Sequence, residues 1–301
     1  MKKYKVYQVD AFTTERFRGN PAGVVANAEG LTEEQMLAIA RELNNSESAF
    51  IFPSQEEGVD CQVRFFTPKT EVPMCGHATV SAHYIRCLTG EAKLGRTIQK
   101  IQAGVLPVDI AKDGDDYVIT MTQGTPHVGE PFAAPLVGRI CEALGITPLE
   151  LRGDCPVAFA NTGAGKIMVP LRALEQLNSL TPDLGALTKI SQELGIGGYY
   201  VFTLHPGKEY LVHGRTFSPA IGINEDPVTG NSNGPLGAYL VHYGICQDTA
   251  AADSFDFKII QGEALGRRGQ MGVHVEIAQG EPVLVQISGK AVVCFATEIE
   301  I

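Results

Sequence analysis

Short runs in which apolar and polar residues alternate recur along the chain, and those at Tyr117 to Met121, Val273 to Ile277 and Val283 to Ile287 predict strands. The period lengthens to that of a helix at fewer places. Thr32-Glu-Glu-Gln35 is a capping-box pattern, and the stripe Met36, Leu37, Ile39, Ala40 and Leu43 after it predicts a helix that ends near Asn44 or Asn45. Leu136 to Leu144 predicts a second helix, closed by Gly145. Thr181 as cap and Pro182 at the first helical position introduce a third, which runs to Leu194 and stops at Gly195. Two further helices are small or apolar on more than one face, through Ala78, Val80, Ala82 and Ile85 and through Leu236, Ala238, Leu240 and Val241. That pattern predicts central helices buried inside their lobes. With strands in excess, the prediction is an α+β fold rather than a doubly wound sheet.

The same order of features occurs twice. Ala49-Phe-Ile-Phe52, Arg64-Phe-Phe-Thr-Pro68 and the helix opening at Gly76-His77 are echoed by Tyr199-Tyr-Val-Phe202, Arg215-Thr-Phe-Ser-Pro219 and Gly230-Asn231. The offset is 150 at Phe52/Phe202, 151 at the two arginines and 154 at the two glycines, about half of the 301 residues. An apolar strand, Arg-x-Phe-[Ser/Thr]-Pro, a Gly-rich entry and an apolar helix repeated in order point to duplication. The expected lobes are 1–124, with a final strand near 292–301 returning to it, and 125–291. Equivalent sites of duplicated lobes are expected to face a shared cleft, a common place for a small molecule. The helix starts at Gly76-His77 and Gly230-Asn231 would bring free N–H groups and positive dipole ends to it, which suits a carboxylate.

Charge and cysteine content narrow the partners. Lys and Arg number 24 against 34 Asp and Glu, a net charge of −10 without a basic block, so neither nucleic acid nor an anionic membrane is an expected partner. No apolar run approaches the roughly 18 residues of a membrane span, and the interleaved start Met1 to Asp10 lacks a signal-peptide core. Seven cysteines, Cys61, Cys75, Cys87, Cys141, Cys155, Cys246 and Cys294, form no Cys-x-x-Cys pair. These features predict a mature, soluble, cytoplasmic protein. A second copy of the chain, as a homodimer, is the one macromolecular partner left open.

Several kinds of chemistry are disfavoured. Asn161-Thr-Gly-Ala-Gly-Lys-Ile167 has Ala160 where a phosphate loop needs its first glycine and Ile167 where it needs Ser or Thr. No Gly-x-Ser-x-Gly elbow and no His-Glu-x-x-His is present, and the seven histidines are scattered, so no metal is expected. Glu47, between a helix end and a strand, is either a solvated loop acid or a carboxylate aimed into the cleft. Ser46 and Ser48 are expected to hydrogen-bond it, and partial burial would raise its pKa toward that of a proton shuttle. His77, at the positive end of a helix, is either a satisfied core residue or a neutral imidazole in the site. Asp226 is a turn or cap residue or a site acid. Cys75 is a small packed hydrophobe or a thiol activated by the helix start.

At these residues the chain resembles a known family. In order, Arg18-Gly-Asn-Pro-Ala-Gly-Val24, Asn45-Ser-Glu-Ser-Ala-Phe50, Arg64-Phe-Phe-Thr-Pro68, Cys75-Gly-His-Ala-Thr79, Gly214 to Pro219, Glu225-Asp-Pro-Val-Thr-Gly230 and Gln261 to Arg267 are similar to the PhzF-like phenazine-biosynthesis isomerase family, most of all to its uncharacterised enterobacterial members. The resemblance implies the diaminopimelate-epimerase fold, two similar lobes that each curl a mostly antiparallel sheet around a central helix. It implies cofactor-independent acid/base chemistry in the cleft, in which one Glu moves a proton between carbons of a small cyclic amino acid. Glu47 matches that acid/base position, and His77 and Asp226 match the histidine and aspartate that line the substrate. Ser46, Gly76, Ala78, Thr79, Thr229, Gly230 and Asn231, from the same stretches, are the candidate substrate contacts. Two departures bear on the reaction. Asn231 stands where the phenazine enzyme has Ser, and of the two cysteines that related epimerases use as bases, Cys75 matches the first while Thr229 stands at the second. The other reading is a small-molecule binding protein that kept the cleft and lost turnover.

Overall fold

The computed structural model describes residues 1–245 and 252–301, so Cys246 lies outside the described residues. In chain order the elements are β1 (Lys3–Ala11), β2 (Asn20–Val25), α1 (Glu33–Leu43), β3 (Glu47–Pro53), β4 (Cys61–Phe66), β5 (Glu71–Val72), α2 (Gly76–Leu88), β6 (Gly95–Ile101), β7 (Gly104–Asp113) and β8 (Asp116–Thr122). There follow β9 (His127–Pro131), α3 (Ala134–Leu144), β10 (Ala158–Asn161), β11 (Lys166–Leu171), α4 (Leu174–Ser179), α5 (Leu184–Leu194), β12 (Tyr199–Leu204), β13 (Val212–Ser218), β14 (Ile223–Asp226), α6 (Gly230–His242), β15 (Ser254–Gln261), β16 (Gly269–Ala278), β17 (Glu281–Gly289) and β18 (Ala291–Glu300). The fold is α+β.

Local chemistry sets the helix ends. The Thr32 hydroxyl accepts from the Gln35 N–H at 3.2 Å while the Gln35 amide oxygen accepts from the Thr32 N–H at 2.9 Å, so the capping box forms as its sequence predicts. Asn44, Gly145 and Gly195 close α1, α3 and α5 in the left-handed region. The expected cap of α5 is corrected. Asp183, not Thr181, is its N-cap, with the carboxylate accepting from the Ala186 N–H at 2.9 Å, and Pro182 lies outside the helix.

The chain divides into two compact units, Met1–Met121 with Ser288–Ile301, and Thr122–Ile287. The junctions lie a few residues before the expected 124/125 and 291/292, at the end of β8 and inside β17. In unit 1, β1 lies antiparallel to both β18 and β2. Strand β2 runs parallel to β3, β3 antiparallel to β4, and β4 antiparallel to β5 and parallel to β6, which pairs antiparallel with β7. Unit 2 repeats this plan. Strand β10 lies antiparallel to β9 and β11, β11 runs parallel to β12, β12 antiparallel to β13, and β13 antiparallel to β14 and parallel to β15, which pairs antiparallel with β16.

The echo extends to side chains. Arg64 grips Glu71 with two charge-assisted hydrogen bonds of 2.7 and 2.6 Å, and Arg215 grips Glu225 with two of 2.8 Å. Each guanidinium also lies over the ring two residues on, 5.1 Å from Phe66 and 4.9 Å from Phe217. Both motif arginines thus tie a strand to the segment that leads into the following helix.

That helix is the centre of each unit. Every residue of α2 from His77 to Cys87 is buried, and so is every residue of α6 from Ser232 to Val241. Helix α2 packs against β1, β2, β3, β4 and β18, and α6 against β9, β10, β11, β15 and β16. A helix buried on all sides and met by strands on all sides requires a sheet that curls around it. The remaining helices cover outer faces, α1 on a cluster with Tyr4, Val25 and Phe50, and α3 and α5 on one with Val169, Leu171 and Val201. Among the described residues no helix is long and apolar enough to cross a membrane.

Candidate active site

In unit 1 the chain leaves α1 through the left-handed Asn44 and enters β3 at Glu47, which pairs with Ala22 of β2. Successive strand side chains point to opposite faces, so Glu47 and Ser48 separate. The Glu47 side chain, 16% exposed, places Oε2 3.5 Å from Nε2 of His77, itself 8% exposed. Ser48 turns into the core beside Gly23, and its hydroxyl has no hydrogen-bond partner. Ser46 lies with its Oγ 3.4 Å from His77 Nε2. The expectation that both serines bond Glu47 is therefore corrected: Ser46 reaches the histidine, and strand alternation takes Ser48 away.

His77 is held on its other edge by Cys75, whose Sγ is 3.4 Å from Nδ1. Cys75 is the N-cap of α2, in extended conformation, and its side chain makes no capping hydrogen bond to the helix. The first turn also lacks acidic residues. The amino end of α2 therefore keeps its N–H groups and its positive pole for a ligand. A Cβ at Gly76 would meet nothing within 4 Å, so the space beside this end is open. Ala78 and Thr79 are fully buried, and the Thr79 hydroxyl donates to the Cys75 carbonyl at 2.7 Å. Those two residues can offer a substrate only backbone.

The ligand atoms of Glu47, Cys75 and His77 all lie within 4.8 Å of one another, although the sequence suggests that no metal set exists. A thiol, an imidazole and a carboxylate form a donor set that could hold zinc. The positive end of α2 opposes a cation there and favours an anion. Carboxylate, imidazole and thiol in one row beside that end, the thiol 3.4 Å from the ring and the carboxylate 3.5 Å from it, can also take, hold and return a proton.

In unit 2, Asp226 ends β14, and its carboxylate accepts from the Thr229 hydroxyl. Thr229 is the N-cap of α6, again with no capping hydrogen bond from its side chain, so Asp226 orients the cap residue without being the cap. Gln261, 1% exposed, opens the Gln261 to Arg267 motif and is a site neighbour that its sequence pattern alone does not mark. Its amide donates to Thr216 Oγ1 at 3.2 Å, to the Asp226 carbonyl at 2.8 Å and to Thr229 Oγ1 at 3.1 Å. Its oxygen accepts from the Thr229 N–H at 3.2 Å and from the Asn233 amide at 2.9 Å. Gly262 follows with φ +87°, and a Cβ there would lie 2.4 Å from the Arg267 carbonyl oxygen, which explains the glycine after the glutamine. Gly230 is buried and Asn231 partly exposed at the start of α6. Pro235 has no N–H, which leaves the Asn231 carbonyl without its usual helical donor.

Residues 9–297 match the family described as "Phenazine biosynthesis-like protein". An uncharacterised isomerase of Clostridium acetobutylicum is 49% identical over 301 residues, 99% of each chain. The trans-2,3-dihydro-3-hydroxyanthranilate isomerase of Pseudomonas aeruginosa is 30% identical over 291 residues, 96% of each chain. Among solved structures, a phenazine biosynthesis protein of the PhzF family from Bacillus anthracis superposes with a TM-score of 0.90 at 29% identity, covering 100% of both chains.

Proposed function

The chain belongs to the phenazine biosynthesis-like protein family, and from that premise we propose that it is a cofactor-independent isomerase that moves a proton on a small, carboxylate-bearing, cyclic amino-acid-like metabolite, with Glu47 as general acid and base. One observation carries the reading: Glu47 Oε2 rests 3.5 Å from His77 Nε2 beside the uncapped amino end of α2. A carboxylate in that place has few roles in a fold. Among the described residues it fills no cap and binds no arginine, and the helix end next to it is suited to a substrate carboxylate.

In the proposed reaction the substrate carboxylate is held by N–H groups at the start of α2. A C–H bond next to an activating group points at Glu47. The carboxylate takes the proton, and the C–H electron pair moves into the substrate's π system. The carboxylic acid so formed returns the proton to another carbon, so that one C–H bond is broken, one is made and Glu47 ends ionised. His77 fixes the Glu47 rotamer, and Cys75 and Ser46 fix the ring of His77. Asp226, Thr229, Gly230 and Asn231 are further proposed substrate contacts. The named activity of the Pseudomonas aeruginosa relative supports the substrate class.

The test is exchange in heavy water. The protein is incubated with a panel of cyclic amino acids, and label is sought at carbon by mass spectrometry and NMR. Enzyme-dependent deuterium in one member is the expected result. Tight binding of panel members with no label in any of them would leave a binding protein without turnover.

A further inference from the structure

The three side chains of the candidate site are also metal donors at close to coordination spacing. Cys75 Sγ lies 4.0 Å from His77 Nε2, Glu47 Oε2 lies 3.5 Å from the same nitrogen, and the thiol and a carboxylate oxygen are within 4.8 Å of each other. Zinc bonds of about 2.3 Å to sulfur and about 2.0 to 2.2 Å to nitrogen and oxygen set neighbouring corners of a tetrahedron roughly 3.3 to 3.6 Å apart. One ion on Nε2 therefore reaches all three donors with side-chain shifts of about an ångström or less.

The donors are held before any ion arrives. Cys75 and His77 sit two residues apart at the start of α2, where the Thr79 hydroxyl donates to the Cys75 carbonyl at 2.7 Å, and Glu47 is fixed by the pairing of β3 with β2. Cys75 and His77 are each 7% exposed, so few alternative positions are open to them. The positive end of α2, about half an elementary charge, weakens the site for a cation. A thiolate and a carboxylate set two negative charges against it, and a helix start favours the thiolate form that a metal needs. Sulfur and imidazole donors select zinc or cobalt over magnesium and calcium, which prefer oxygen.

We propose that Glu47, Cys75 and His77 bind one zinc ion, and that the ion switches the site off. The switch deepens the function proposed above and rests on Glu47 as the proton carrier; the metal site itself does not. Binding exchanges the Cys75 thiol proton for zinc and releases that proton to solvent, and no electron changes hands. Zinc takes the carboxylate lone pair that would accept the substrate proton, so a loaded site cannot take a proton from carbon. Three protein donors leave the fourth corner to water, as in an exchangeable site rather than a closed structural one.

The probe is Co²⁺, followed by Zn²⁺, on the reduced full-length chain with no substrate present. Cobalt should bind one to one with the near-ultraviolet charge-transfer band of a thiolate ligand, and zinc should abolish the band by displacement. Cys75→Ser should lose the band, and Glu47→Gln and His77→Gln should each weaken cobalt binding about tenfold or more. No band in wild type, or a band of full intensity in Cys75→Ser, overturns the site. If Cys75→Ser does not fold, the other two variants decide, and an affinity within about threefold of wild type in either of them overturns the site. With a cyclic amino acid that exchanges deuterium, saturating zinc should lower the rate about 100-fold or more and EDTA should restore it, while exchange undiminished by bound zinc overturns the switch. Cobalt binding is read without any reaction, so the metal site and the role of Glu47 in proton transfer fail separately.

Discussion

At the scale of single residues the candidate site is a question of which side chains touch His77. Glu47 and Ser46 lie on its Nε2 side, and Cys75 lies 3.4 Å from its Nδ1. If Cys75 only orients the ring, a hydroxyl can stand in for the thiol. Cys75→Ser should then keep exchange activity within about threefold, while Cys75→Ala, which frees the ring, should lose up to about 100-fold through misplacement. Steady-state kinetics of the two variants decide it; an inactive but folded Cys75→Ser would make the thiol itself a base. Glu47, Cys75 and His77 are legible in the sequence because each sits at a change of element. Ser48 is misread there because proximity in sequence suggests a contact that strand alternation forbids. Gln261 is not legible as a neighbour of the candidate site. Its partners Asp226 and Thr229 lie more than thirty residues back along the chain, and only the folding of the sheet brings them together.

The two central helices set the next scale. Their patterns, apolar on several faces, mark them as buried, and both are. Burial has a cost in α2, where His83 is fully enclosed. Its Nε2 lies 3.0 Å from the Gln99 amide oxygen, and Arg86 Nη1 lies 3.3 Å from its Nδ1. Burial, the largest influence, brings the His83 pKa down to about 4 from 6.5. A histidine lowered in this way stays neutral when folded while its unfolded form takes up a proton. Stability is therefore intact above about pH 6.5 and is lost as the pH falls toward 4. Between pH 7 and 4.5 the loss from this one residue is on the order of 2 kcal/mol. In urea titrations at those two pH values, His83→Gln should show a pH-dependent loss smaller by about that amount. An identical loss in both proteins would remove His83 as its source. Helix ends are legible where one cap competes with no other, as at Thr32. Where Thr181 and Asp183 compete, the structure selects the carboxylate that reaches the Ala186 N–H.

The whole molecule is two copies of one plan. The strand and helix order of the second half repeats the first closely enough to be seen in the sequence as an echo. The pairing that turns the echo into curled sheets is not visible there, because β1–β18 joins the two ends of the chain. That pairing runs from Lys3↔Glu300 to Ala11↔Ala291 and includes a 2.7 Å contact from Cys294 Sγ to Asp10 Oδ2. A chain ended after residue 287 should lose hydrogen-exchange protection in β1, β2 and α2 while β11, β12 and α5 keep theirs. Equal loss throughout would mean that the two units do not fold as separate units. The account as a whole turns on one carboxylate. The measurement that tests it most directly is the rate of solvent-deuterium incorporation by Glu47→Gln beside wild type, with folding verified by circular dichroism. Glutamine keeps the shape and cannot take the proton, so the rate should fall by about 100-fold to 10,000-fold. A folded Glu47→Gln that exchanges at the wild-type rate would contradict the account.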